Sequence, residues 1–354
     1  MEERIYMRQG FKDNAFDLIR LYAAIQVMLS HYVGILGWKL PYVINEAITL
    51  FSGVTILFLL SGYVVAASAE RTKTIDFYTK RFCRIFPSYW MAVIFSSVMV
   101  LFFATERTFS GKEILKWTIT QMAGFAYTPS FLENYGTGSA NGVLWCIPVL
   151  IQFYILIAIV LPWLNQKSEK IWHLMLVVTA LISVVFSQEQ YFQGYVLGKP
   201  MNVWISRTIL QTIHIFYIGV YFYHFRDKLV EFSKKWFFVF IPVLYIYNEY
   251  IVPIPLIDNL YVKADFISTL LLVFITIGIS YRIGHVRLKY EISMGIFLYH
   301  IVFLNVFVEH NMTNSIWNIL GLFLCVTLAA FVNLMYENKV SKALYTKISR
   351  LYKS

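Results

Sequence analysis

Charge is what this chain is short of. Of its 354 residues only 14% are Asp, Glu, Lys or Arg, where soluble domains carry about a quarter. That deficit excludes an ordinary soluble enzyme. A hydrophobic content of 58%, arranged in repeated apolar stretches of about eighteen residues or more, points to a polytopic membrane protein. Cysteine is scarce too: Cys83, Cys146 and Cys325 are too few and too scattered for a disulfide framework or a metal site. No glycine-rich nucleotide loop, metal-ligand cluster or Gly-flanked serine elbow is present, so no metal is expected. There is no internal repeat, no low-complexity segment and no long polar insert, so one membrane domain over 1–354 is expected. The polar opening Met1–Asn14 has no short apolar core with a cleavage site, so the first span is expected to be retained.

What is present is an all-α bundle. Spans are expected at 15–37, 46–69, 85–104, 143–164, 171–187, 204–225, 236–252, 264–280, 292–310 and 314–337. The less apolar segment 112–131, which holds Lys116, Gln121 and Pro129, leaves the topology open until charge is considered. Net charge is +10. In a soluble protein this would suggest nucleic acid, but here the basic residues gather in short loops at 71–84, 226–235 and 281–290 and in the tail, so no nucleic-acid partner is expected. The loops 131–142 and 253–262 contain no Lys or Arg. If 112–131 does not cross, every basic loop falls on one face with both termini. About ten spans with both ends cytoplasmic is therefore the expected topology, and 112–131 becomes an interfacial or re-entrant element on the far side.

The first apolar run holds Arg20 and His31. Eleven residues at 100° bring the two side chains within about 20° of each other on a helix, about 16 Å apart along its axis. An ionisable residue inside a span is by default a functional-site hypothesis. The competing interpretation is an Arg snorkelling to the interface and a hydrogen-bonded core His. Arg81 and Arg84 lie on one side of a helix start, with forked guanidinium groups suited to phosphate, although ordinary positive-inside charge explains them as well. Ser61–Gly62 is a small-residue packing element. Ser293, Tyr299 and His300 lie together near the ninth span, His300 and His214 each reading alone as a satisfied core histidine. Trp145 opens a segment in which Pro148 is expected to kink the helix and Gln152 to satisfy a freed carbonyl.

Together these segments resemble the acyltransferase 3 family of bacterial membrane acyltransferases. Asp17, Arg20 and His31 match its opening Asp-x-x-Arg, ten residues, then His. Ser61 and Gly62 match its Ser-Gly element. Arg81, Arg84, Ile85, Pro87, Tyr89 and Trp90 match Arg-x-x-Arg followed by Ile-x-Pro and aromatics, and Ser293, Gly295, Tyr299 and His300 match its late element. In the middle motif Trp145, Gln152, Phe153 and Tyr154 fit, but Leu150 stands where the family usually has Glu.

The resemblance implies a multi-pass protein of the bacterial cytoplasmic (inner) membrane that moves an acyl group, most often acetyl, from cytoplasmic acyl-CoA to a hydroxyl of a surface polysaccharide (a lipopolysaccharide O-antigen, for example) or lipid-linked glycan. Acetyl-CoA is then the donor and the glycan the acceptor. Arg81 and Arg84 hold the donor's phosphates, Arg20 receives its thioester end, and His31 acts as general base or carries the acyl group transiently. Asp17 fixes Arg20, and Ser61, Trp145, Gln152, Tyr299 and His300 are supporting residues. The alternatives are a flippase of lipid-linked sugar, which would also use intramembrane Arg and His, and a family member impaired by the loss of its Glu.

Overall fold

The computed structural model describes residues 13–106, 109–188, 194–196, 199–253, 265–313 and 315–353. Among these, twelve helices have eight residues or more, and seven helical stretches are long and apolar enough to cross a membrane. The helices are α1 (Phe16–Leu36), α2 (Tyr42–Leu50), α3 (Gly53–Arg71), α4 (Thr74–Phe103), α5 (Gly111–Met122) and α6 (Cys146–Leu164), then α7 (Glu169–Ser187), α8 (Ile213–His224), α9 (Arg226–Ile246), α10 (Phe266–Ile283), α11 (Ser293–Glu309) and α12 (Ile316–Lys353). The chain is an all-α polytopic membrane bundle. Its only extended pairing among the described residues is a two-residue hairpin, Tyr195–Val196 against Lys199–Pro200.

Every expected span contains a helix. Three fall outside the seven: α8 has only 12 residues, α9 opens on a charged turn, and α11 has 17 residues. Two stretches expected as loops are helical. The basic run 71–84 is helix from Thr74 onward, and 226–235 is the first half of α9. Lys, Arg and Glu are good helix formers, so the backbone continues its ladder after the apolar sequence stops. The 30 residues of α4 span about 45 Å, against a hydrocarbon core of about 30 Å. Most of the lysine- and arginine-free loop 253–262 lies outside the described residues.

Segment 112–131 holds α5, whose 12 residues are too short to cross the hydrocarbon alone. Ser110 caps it reciprocally with Glu113: the Glu113 amide donates to Ser110 Oγ, and the Ser110 amide donates to the Glu113 carboxylate. The Ser110 amide and the Ser110 hydroxyl, both donating to the carboxylate, hold the Glu113 carboxyl below the usual glutamate range. Ile114 and Trp117 turn inward against Val100, Leu132 and Tyr135.

The chain divides into two compact units. The first comprises the described residues of Met1–Ala23, Glu46–Lys73 and Gln152–Lys289. Its centre is the pair α3 and α8. A Cβ on Gly62 would overlap the Phe216 carbonyl, and one on Gly219 would overlap the Leu59 carbonyl. The two glycines let the backbones touch, a packing device that suits lipid, where apolar bulk gives no net drive to associate. Phe153 then stacks on Phe216 with ring centroids 4.2 Å apart. α9 and α10 pack beside them, and the Asp265 carboxylate caps α10 by accepting the amides of Ile267 and Ser268.

The second unit comprises Ala24–Asn45, Thr74–Ile151 and the described residues of Tyr290–Ser354. Here α4, α11 and α12 pack on one another, with Gly295 against Ala330. Asn305, fully buried on α11, ties down the loop 131–142. Its carbonyl accepts the Thr137 amide at 2.9 Å, and its amide donates to the carbonyls of Ser139 and Ala140.

Pro148 does not kink α6. It lies in the first turn, where no intrahelical bond is lost. Gln152 therefore serves another backbone, donating to the Arg207 carbonyl at 3.0 Å and accepting the Ile209 amide at 3.2 Å.

Candidate active site

Two helices of the second unit bring the histidines of the first and last motifs together. His31 Nδ1 lies 2.9 Å from His300 Nε2, with the rings nearly parallel, 20° apart. His300 is fully buried and His31 half-buried. The protons follow from the partners. His300 Nδ1 lies 3.0 Å from the Ile296 carbonyl one turn back, and a carbonyl only accepts. Neutral imidazole carries one N–H, so His300 Nδ1 holds the proton and its Nε2 is the acceptor. The bond between the rings then needs the proton on His31 Nδ1. His31 also bonds the Val27 backbone one turn back, and with Nδ1 as the donor the lone pair of His31 lies on Nε2. A neutral histidine with a lone pair on one nitrogen and its other nitrogen held by a buried acceptor is suited to take a proton from a hydroxyl.

Polar groups continue from this pair toward the arginines of α4. Tyr32 donates to the His300 carbonyl at 3.4 Å. Tyr299 donates to Asn333 at 3.3 Å, Asn333 to Ser88 at 3.1 Å, and Ser88 to the Glu337 carboxylate at 3.1 Å. Glu337 in turn lies within electrostatic reach of Arg84. Arg81 lies over the Phe77 ring, 5.6 Å from its centroid. Ser293 donates to the Glu291 carboxylate. Trp145, half-buried, closes the turn before α6, and Leu150, half-buried on α6, presents no carboxylate.

The first unit holds the other candidates. Arg20 Nη1 donates to Asp17 Oδ1 at 3.4 Å. The second carboxylate oxygen stands 3.9 Å from Arg287 Nη1, which also lies 3.4 Å from the side-chain oxygen of Asn14. One carboxylate thus stands between two guanidinium groups. Gly62 makes the helix contact, while its neighbour Ser61 is half-buried. Gln152 holds the Arg207 carbonyl and the Ile209 amide.

Arg287, Asn333 and Glu337 escaped the sequence reading. Asn333 and Glu337 had a usable signal: they are four residues apart in the last apolar helix, so they share a face. Arg287 had none, being one of several basic residues in its loop.

The sequence profile of the family described as Acyltransferase domain matches residues 13–335. The chain is 29% identical to nodulation protein 10 of Rhizobium leguminosarum bv. viciae over 251 residues, 63% of this chain and 64% of that protein, just under two thirds of its length. It is 26% identical to an O-acetyl transferase of Shigella phage Sf6 over 81% of this chain and 84% of the relative. It is 24% identical to the peptidoglycan O-acetyltransferase of Listeria monocytogenes serovar 1/2a over 41% of this chain and 25% of the relative. No solved structure matches it. With nearly the whole chain matched and the motif histidines in contact, the protein belongs to the acyltransferase 3 family.

Proposed function

We propose that this protein is a membrane O-acyltransferase that moves an acetyl group from cytoplasmic acetyl-CoA to a hydroxyl of a surface glycan or lipid-linked saccharide. The observation that carries this reading is the hydrogen bond between His31 Nδ1 and His300 Nε2, which leaves the lone pair of His31 on Nε2. Names of relatives supply the reaction class. His31 Nε2 takes the proton of the acceptor hydroxyl as its oxygen attacks the thioester carbonyl. The C–S bond breaks, and the departing thiolate takes the proton back from the imidazolium, leaving CoA thiol and an ester. His300 accepts from His31 throughout and keeps its ring oriented. Arg81 and Arg84 hold the donor's phosphates at the basic end of α4, and Arg20 is directed to its thioester end. Both termini are cytoplasmic on this reading, and the membrane is the bacterial inner membrane.

Two measurements test this. Purified protein is expected to melt at a higher temperature in acetyl-CoA, since a ligand that binds the folded state alone stabilises it. Surface polysaccharide from cells carrying the gene is expected to show an O-acetyl methyl signal in NMR spectra that is missing without it. No stabilisation and no new methyl signal would favour a flippase. Stabilisation without any transfer would favour a family member disabled by Leu150.

A further inference from the structure

The first unit also contains a polar cavity. It has a volume of about 230 Å³ and is lined by Glu46, Asn248, Glu249, Asp265, Ser268 and Thr269, with Thr49, Ser52 and Thr55 at its side. Among the described residues its lining includes no Lys, Arg or His. It lies where the start of α3, the end of α9 and the start of α10 meet. The opposite ends of those helices carry Arg71, Arg226 and Arg282. If the basic ends face the cytoplasm, the cavity faces the far side.

Thr269 points to a ligand. It is 1% exposed, and its hydroxyl is buried with no hydrogen-bond partner. Thr79, Thr118 and Thr179 each donate to a carbonyl of the preceding turn, as helical threonines do when nothing else is offered. A buried hydroxyl left unmatched costs about 1–3 kcal/mol, so its retention against a polar cavity calls for a partner that enters. Beside it, Ser268 Oγ lies 2.8 Å from Asn248 Oδ1 and 2.9 Å from Asp265 Oδ2. One hydroxyl proton serves one of these oxygens, and the other is open to a second donor.

We infer that this cavity binds a single sugar unit of the acceptor glycan, through the Thr269 hydroxyl and the carboxylates of Glu46, Glu249 and Asp265. The inference rests on the reading of the protein as a glycan O-acyltransferase. Carboxylates, a hydroxyl and an amide oxygen are acceptors for the many O–H donors of a sugar. The volume is below the about 300–1,000 Å³ of sites for drug-sized ligands, which fits one ring. Among the described lining residues three carboxylates face no cation, an arrangement that favours a neutral or amino sugar over an anionic one.

The test is saturation-transfer NMR on the full-length protein in nanodiscs, with methyl glycosides of glucose, rhamnose, N-acetylglucosamine and glucuronic acid as probes. Transfer is expected to at least one neutral glycoside and not to the glucuronide. It should weaken at least tenfold in Thr269→Val and in Glu249→Gln. Thr269→Val removes an unmatched hydroxyl at nearly constant shape, so its melting temperature is expected not to fall. Glu249 is exposed, which keeps the second variant foldable. No transfer to any neutral glycoside, equal transfer to the glucuronide, or binding unchanged in both variants would overturn the proposal. So would stabilisation by Ca²⁺ that Glu249→Gln abolishes with no glycoside bound, which would make this a cation site. Failure of wild-type protein to be stabilised by acetyl-CoA would count against the acyltransferase reading alone.

Discussion

His31→Ala protein, purified and supplied with acetyl-CoA and its glycan, is expected to transfer acetyl 10²–10⁴-fold more slowly than wild type, the range contributed by a positioned general base. The loss should appear in kcat with little change in donor binding, because His31 acts on the acceptor hydroxyl. His300 offers a graded companion. His300→Ala removes the acceptor that orients His31 Nδ1 and frees the ring to rotate, a misplacement worth about 10²-fold. His300→Gln retains an acceptor oxygen and is expected to keep more activity than His300→Ala. Turnover by His31→Ala at the wild-type rate would remove the base from the scheme. Equal activity of the two His300 variants would reduce His300 to a packing residue.

The second large effect is structural. Gly62→Leu is expected to abolish recovery of monodisperse protein, because its side chain would occupy the place of the Phe216 backbone. Overpacking costs about 1–3 kcal/mol where side chains can yield. Here the obstacle is main chain, so α3 and α8 must separate, and the stacking of Phe153 on Phe216 goes with them. Gly321→Ala is the control. No atom lies within 4 Å of a Cβ there, and alanine is the better helix former by about 1 kcal/mol. Size-exclusion profiles and melting curves in one detergent decide it. A monodisperse Gly62→Leu with wild-type melting would show that the contact is not needed.

The bundle was legible because hydrophobicity over about twenty residues is a strong signal when water is absent from the core. Helix ends were less so. Apolarity stops at the headgroups, but α4 and α9 carry their hydrogen bonds on through Lys and Arg, so stretches that looked like loops are helix. Pro148 misled because position decides its effect, and only the structure places it in a first turn. For the site, the spacing of Arg20 and His31 put both on one helix, and the late motif singled out His300. Their partners are non-local. The bond from His31 to His300 joins residues 269 apart, and the shared carboxylate of Asp17 depends on Arg287. Neither follows from periodicity along one element. Leu150 remains the one clear departure from the family's pattern. Glu337, hydrogen-bonded by Ser88, is a carboxylate that the spacing of Asn333 and Glu337 would have revealed.

The most direct measurement is the protonation of the His31 ring, read from ¹⁵N chemical shifts of histidine-labelled protein in nanodiscs at neutral pH, with His31→Asn used for assignment. The structure predicts a proton on Nδ1 and a bare Nε2 for His31, with the same tautomer for His300. A proton found on His31 Nε2, with Nδ1 bare, would contradict it, because the nitrogen meant to receive the acceptor's proton would already be occupied.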